Sequence, residues 1–147
     1  MHRIAYILLI LFMSACGRCR YGCENGICKR GDCDCFEWYE GDACERAILA
    51  TYEGGYGGEL IQGDTVLDTL SFQLRWAQNP PEDMLLEGEG LRVRFTDRWG
   101  FELPDQAWKG YEVSGEGEML LNRFSLRMEL RTDSTRVEAS LSAKQQL

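Results

Sequence analysis

The sequence predicts an all-β protein in which a small disulfide-rich module precedes an antiparallel β-meander that forms a barrel or a sandwich. Six of the seven cysteines in this 147-residue chain fall between positions 19 and 44. From about position 47 onward, apolar and polar residues alternate with the period of a strand. No long segment has the 3.6-residue period of an amphipathic helix.

The first 16 residues resemble the export signal of a bacterial lipoprotein. A basic pair at positions 2–3 precedes ten apolar residues at 4–13. This run has the length of a signal-peptide core and is shorter than the roughly 20 residues that span a bilayer. Residues 13–16, Met-Ser-Ala-Cys, resemble a lipobox. The resemblance implies a signal peptide over residues 1–15, diacylglycerol on the thiol of Cys16, and an acyl chain, commonly palmitate, on its amine.

The alternatives are an ordinary secretory signal with an incidental cysteine and an uncleaved anchor. Cleavage before Cys16 leaves 15 basic and 24 acidic residues, a formal net charge of −9. So acidic a surface argues against nucleic acid as a partner, and membrane attachment then comes from the lipid, through a tether at residues 16–18. The only histidine, His2, lies in the leader, which excludes His-dependent catalysis and His-ligated metal from the mature protein.

The same resemblance implies a place in the bacterial cell envelope. Gly17 follows the lipid-bearing cysteine. It provides no Asp-type signal for retention in an inner membrane, so the outer membrane is favoured. Whether the protein faces the periplasm or the exterior is left open.

The six clustered cysteines predict a module held by cross-links, because 26 residues are too few to bury a core of their own. Fifteen pairings are possible, and Cys33 and Cys35 are poorly placed to pair with each other. Zinc is the alternative, but the C-x2-C steps typical of zinc sites do not occur. We therefore expect disulfides and neither a metal nor another cofactor. The cysteines are Cys19, Cys23, Cys28, Cys33, Cys35 and Cys44.

Residues 19–45 resemble an epidermal growth factor (EGF)-like module. The spacing matches throughout, and Tyr39 and Gly41 match the signature before the last cysteine, although Trp38 stands where glycine is usual. No acidic run precedes Cys19, so the calcium-binding form of the module is not expected. The resemblance implies three disulfides, each contributing about 2–3 kcal/mol. They join Cys19 to Cys28, Cys23 to Cys33 and Cys35 to Cys44.

Residues 47–147 are predicted to form the β-domain. The clearest alternation marks strands at 70–76, 91–96, 124–131 and 137–143, each with one buried and one wet face. Weaker strands are predicted at 48–53, 59–62, 84–87, 100–103, 109–113 and 116–121. Residues 54–58 are interpreted as a glycine-rich turn, 104–105 as a turn, and 105–109 as one helical turn. Short strands and short turns favour an up-and-down meander, and the layout loosely resembles lipocalin-like or immunoglobulin-like domains.

Two groups of residues in the β-domain are candidates for binding or chemistry. Paired carboxylates, Glu116 with Glu118 and Glu87 with Glu89, could serve acid–base work or hold a cation, although carboxylates of this kind more often form a solvated strand face. Aromatic residues could line a ligand pocket, or they could simply pack the core. These residues are Trp76, Trp99, Trp108 and Tyr111.

Rows of arginines indicate cross-strand charge pairing on the outer face of the sheet. Arg92 with Arg94 forms one row, and Arg127 with Arg131, set against Glu129, forms another.

Together these features predict a lipid-anchored, non-enzymatic envelope lipoprotein. An EGF-like stalk would present the β-domain to a protein or small-molecule partner that the sequence does not identify. The first alternative is a small-ligand carrier with a lipocalin-like barrel, which requires an open apolar interior. A second is a hydrolase that uses carboxylates alone, which requires two carboxyl groups close together in a cleft.

Overall fold

The computed structural model describes Cys19 and residues 22–146. The leader and Cys16 lie outside the described residues, so the signal peptide and the lipidation stay predictions. No helix in the described part is long and apolar enough to cross a membrane. The chain divides into two compact units, Met1–Ala47 and Ile48–Leu147.

The first unit is built from two small antiparallel ribbons and three disulfides. Strands β1 (Gly26–Lys29) and β2 (Asp32–Cys35) form one ribbon, and β3 (Tyr39–Glu40) and β4 (Arg46–Ala47) form the other. The disulfides follow the pairing that the EGF-like resemblance implies. They join Cys19 to Cys28, Cys23 to Cys33 and Cys35 to Cys44.

Trp38 adopts a left-handed backbone conformation, with φ of 75°. This conformation is easy for glycine and costly for a residue with a Cβ atom. A glycine at this position would adopt the same conformation at a lower cost.

The second unit is a closed barrel of eight antiparallel strands. Each strand pairs with its neighbours in the chain, and the last pairs with the first. The predicted all-β fold is confirmed, and the meander closes as a barrel. The strands are β5 (Gly54–Gln62), β6 (Thr65–Trp76), β7 (Asp83–Glu87), β8 (Leu91–Phe95), β9 (Gly100–Trp108), β10 (Tyr111–Leu120), β11 (Arg123–Arg131) and β12 (Arg136–Gln145).

Four expectations about local structure were wrong. Residues 54–58 belong to β5 and not to a turn, and residues 104–109 are strand up to Trp108. The strands predicted at 109–113 and 116–121 are one strand, β10. Residues 48–53, predicted as strand, contain a 3-10 helix, η1 (Leu49–Tyr52). In each case barrel closure overrides the local signal from glycine, proline or alternation.

Pro104 stands within β9 because the ladder to β8 ends before it. These strands pair only through Arg94 with Glu102 and Phe95 with Phe101. Two residues further along this register, Arg92 would lie opposite Pro104, which has no N–H to donate. The side chain of Gln106 provides both backbone groups of Arg92 with a partner. Its Oε1 accepts from the Arg92 N–H at 3.0 Å, and its Nε2 donates to the Arg92 carbonyl at 2.7 Å.

Side chains fill the barrel interior. Inward residues of all eight strands are buried. In the half of the barrel where β5 begins, aromatic side chains form a continuous series of contacts, with ring centroids 4.8–6.5 Å apart. The opposite half is mainly aliphatic. The rings belong to Tyr52, Tyr56, Phe72, Phe95, Phe101 and Phe124.

Glycines on the inner face make room for these rings. A Cβ atom on Gly117 would overlap the ring of Phe101 and the backbone carbonyl of Ser125. Gly58 lies equally close to the backbone of β12. Strand glycines of this kind allow close packing and sharp curvature in small barrels.

The barrel end where β5 begins, here the entry end, is closed by η1. Leu49 and Tyr52 are buried there. The Tyr52 hydroxyl donates to the carbonyl of Arg98 at 2.9 Å, and the Tyr56 hydroxyl donates to the carbonyl of Tyr52 at 3.0 Å. The first bond attaches η1 to the turn between β8 and β9, which is distant in sequence, and the second attaches it to β5.

Candidate functional site

The four candidate aromatic residues lie at two ends of the barrel. Trp76 ends β6 and Trp99 lies in the turn before β9, both at the entry end. Trp108 and Tyr111 face each other across the turn between β9 and β10, at the opposite end. A strand the length of β9 separates the two ends by about 25 Å. The structure therefore does not bring the four residues into one pocket.

The two tryptophans at the entry end differ in exposure. Trp76 is partly buried, and its Nε1 donates to the carbonyl of Pro81 at 2.8 Å. The ring of Trp99 is 47% exposed and has the guanidinium of Arg98 above it, 5.5 Å from the ring centroid. Trp76 thus fixes the loop between β6 and β7, whereas Trp99 presents an aromatic surface to solvent.

At the opposite end, Trp108 is 6% exposed, and no residue in the described part of the chain accepts a hydrogen bond from its indole N–H. The ammonium of Lys109 lies 4.7 Å from the centroid of this ring. It also lies 2.9 Å from Asp68 and 3.2 Å from Glu89. The hydrogen bond between Lys109 and Asp68 raises the pKa of the lysine and lowers the pKa of the aspartate.

These ionic contacts bridge a seam in the barrel. β6 pairs with β7 only over Gln73–Trp76, and β9 pairs with β8 at only two residues. The rest of β6 and of β9 lacks a ladder partner on that side. Lys109 joins the two edges, since Asp68 belongs to β6 and Lys109 directly follows β9. Charged side chains at such positions protect exposed strand edges from pairing with other chains.

The two predicted carboxylate pairs have different surroundings. Glu87 and Glu89 are divided by a turn at Gly88, and each has its own cation: Arg75 at 2.9 Å for Glu87 and Lys109 at 3.2 Å for Glu89. Glu116 and Glu118 both lie on the outer, exposed face of β10.

The Glu116 and Glu118 pair borders an outer groove with a volume of about 590 Å³. This groove lies across the outer face of β9 to β12. Its lining includes the small residues Gly100, Ser125, Ser140 and Ser142, together with Arg127. The floor is open because the outward residues here are small, while longer charged side chains stand around them.

The two glutamates of the outer groove were predicted as site candidates, Arg127 was predicted only as part of a charge-paired row, and the serines of the groove were not predicted. Arg127 lies opposite Glu116 on one side and Ser140 on the other. Ser125 lies between Glu118 and Ser142 in the next row. These rows depend on the register of three strands, which alternation within one strand does not specify.

The arginine rows are paired only in part. Arg131 contacts Glu129 at 3.3 Å. Arg92 and Arg94 contact Asp83 instead, at 3.5 and 3.1 Å, and this fully buried carboxylate was not singled out from the sequence. The hydrogen bond to Asp83 raises the pKa of Arg94. The contacts of Asp83 with Arg92 and Arg94 join β7 to β8 on the outer face of the barrel.

Three cysteine sulfurs, those of Cys19, Cys23 and Cys33, lie within 4.8 Å of one another. All three belong to disulfides. A disulfide sulfur is not the thiolate that zinc requires, so this cluster is not a metal site while the module is oxidised.

Comparison of the chain with models of protein families, with curated proteins and with solved structures found no match in any of the three.

Proposed function

We propose that this chain is a lipid-anchored, non-enzymatic protein of the bacterial envelope, in which an EGF-like stalk presents the barrel to a partner. The observation that carries the binding role is the distribution of open space. The barrel interior is occupied by side chains, whereas the outer groove is open to solvent. A partner would therefore bind on the outer surface.

Anchoring is supported by the division of the cysteines. Six are consumed by three disulfides within residues 19–44, which leaves Cys16 as the seventh. Disulfides of this density occur in proteins exported to an oxidising compartment. A single spare cysteine directly after an apolar leader fits lipid attachment, and the two signals agree on export.

Membrane partition tests the anchor. The full chain, expressed with its leader in a bacterial host, is expected to sediment with membranes and to enter the detergent phase. The variant Cys16→Ser should instead be found in the soluble fraction. A wild-type protein that stays soluble, or a Cys16→Ser variant that remains with the membrane, would contradict lipid anchoring.

A small-ligand carrier with an open apolar interior is not favoured, because side chains fill the barrel. One observation favours a carrier that holds its ligand at the barrel wall: among the residues that the structure describes, none accepts from the buried indole N–H of Trp108, which lies beside the seam that Lys109 closes. A ligand with an acceptor atom could satisfy that donor if the seam opened. Native mass spectrometry of the purified protein would then show a bound small molecule that Trp108→Phe loses. A wild-type mass with no such adduct argues against the carrier.

A further inference from the structure

We infer that the outer groove binds a neutral, polyhydroxylated ligand, namely a short oligosaccharide. This inference rests on the proposed function, because it names the chemistry of the partner that the barrel would present. It follows from three features of the groove: its size, its unpaired charges of both signs, and its hydroxyl groups.

The size of the outer groove suits a small ligand. Its volume of about 590 Å³ falls within the 300–1,000 Å³ range usual for small-molecule sites. The hollow follows from sequence, since serine or glycine stands at outward positions of β9, β11 and β12, where strands commonly carry larger side chains. A di- or trisaccharide would rest across the strands on this floor.

Charged groups around the groove are not neutralised by one another. Glu116 and Arg127 are directly opposite in register, a spacing that usually allows an ion pair. Yet within the part of the chain that the structure describes, neither Glu116, Glu118 nor Arg127 has an ion-pair partner within 4.0 Å. Carboxylate acceptors on β10 and a guanidinium donor on the neighbouring strand β11 thus both border the hollow without forming an ion pair with each other.

This arrangement selects a ligand that both donates and accepts hydrogen bonds. The carboxylates of Glu116 and Glu118 accept only, the guanidinium of Arg127 donates only, and the serine hydroxyls do both. An anionic ligand would meet two carboxylates, and a cationic ligand would meet the guanidinium. An apolar ligand would remove water from all of these groups without replacing their hydrogen bonds. Sugar hydroxyls satisfy donors and acceptors alike and carry no charge.

Nuclear magnetic resonance of the ¹⁵N-labelled full chain tests this inference with matched probes. Chitotriose is neutral, and its fully deacetylated form is a cation of the same length. Maltotriose is neutral, and trigalacturonate is an anion of similar size. We expect the neutral sugars to shift the backbone amide signals of Gly117, Ser125, Ser140 and Ser142, and the charged ones to shift them several-fold less.

Variants separate groove binding from effects elsewhere. Ser140→Tyr fills the hollow with a residue that strands favour, and Arg127→Gln removes the guanidinium; each should weaken binding about tenfold. Glu112→Gln is the matched control, because Glu112 lies on the outer face of β10 and does not line the groove. It should bind like wild type.

Three outcomes overturn the inference. They are no shift of the groove amides by either neutral sugar at about 10 mM, stronger binding of a charged probe, and shifts that Ser140→Tyr leaves unchanged. Each would leave the membrane partition of the wild-type protein and of Cys16→Ser as described above. Failure of the inference is therefore distinguishable from failure of the proposed function.

Discussion

Gly117→Ala tests whether the barrel interior is as closely packed as the ring contacts indicate. The added methyl group would overlap the ring of Phe101 and the carbonyl of Ser125. The Phe101 ring has little freedom to move, because its centroid lies 4.8 Å from that of Phe124 and 5.3 Å from that of Phe95. Overpacking of a core costs about 1–3 kcal/mol, and a clash with backbone lies at the upper end.

We therefore expect Gly117→Ala to lower the free energy of unfolding by about 3 kcal/mol. With a urea slope of about 1–2 kcal/mol/M, the midpoint should fall by roughly 2 M. The assay is equilibrium unfolding of the oxidised protein followed by tryptophan fluorescence, since three of the four tryptophans lie in the barrel unit.

Gly55→Ala is the matched control within a strand of the same barrel. A Cβ atom on Gly55 would meet only the end of the flexible Gln73 side chain, at 3.1 Å. This substitution should change stability by less than about 0.5 kcal/mol. Equal midpoints for the two variants would refute the argument that the interior is filled at Gly117.

Three further predictions concern the seam and two turns. Lys109→Met should lower the free energy of unfolding by about 1–2 kcal/mol, because it leaves the mostly buried carboxylate of Glu89 without its cation. Lys144→Met is the control, since Lys144 is exposed, and it should have little effect in the same urea assay. Leu121→Gly should raise the thermal midpoint and stabilise by about 0.5–1 kcal/mol, since Leu121 is 85% exposed and has φ of 56°; a lower midpoint would contradict this. Backbone N–H groups hold the pKa of Asp97 below its usual 3.8, so the stability that this carboxylate provides is complete above that value and is lost as pH falls through the lowered pKa. Asp97→Asn should therefore flatten the acid limb of a plot of stability against pH, and an unchanged limb would show that Asp97 does not contribute.

Strand alternation predicted the fold because each half-buried strand carries its own signal. The residues of β11 alternate without interruption, and the strand predicted at 124–131 is observed over Arg123–Arg131. Turn signals from glycine and proline led to wrong predictions where these residues lie within barrel strands. The glycines of β5 indicate a turn when considered alone, but Gly58 is a small inward residue against β12. Pro104 indicates a strand end, but it lies where β9 needs no N–H.

The candidate site was predictable only within a single strand. Glu116 and Glu118 share a face because they are two residues apart on β10, which the sequence shows directly. Arg127 and Ser140 join them through the register of β10, β11 and β12. The aromatic candidates could not be grouped correctly from the sequence, since Trp76 and Trp108 are the same residue type but lie at opposite ends of the barrel.

The intact mass of the protein purified from its native membrane reports lipid attachment and cross-linking together. We expect a chain that begins at Cys16, carries diacylglycerol and an acyl group on that residue, and lacks six hydrogens at the other cysteines. Those six cysteines should not react with iodoacetamide until a reductant is added. A mass that begins at Met1 without lipid, or free thiols in the untreated protein, would contradict both the anchor and the cross-linked stalk.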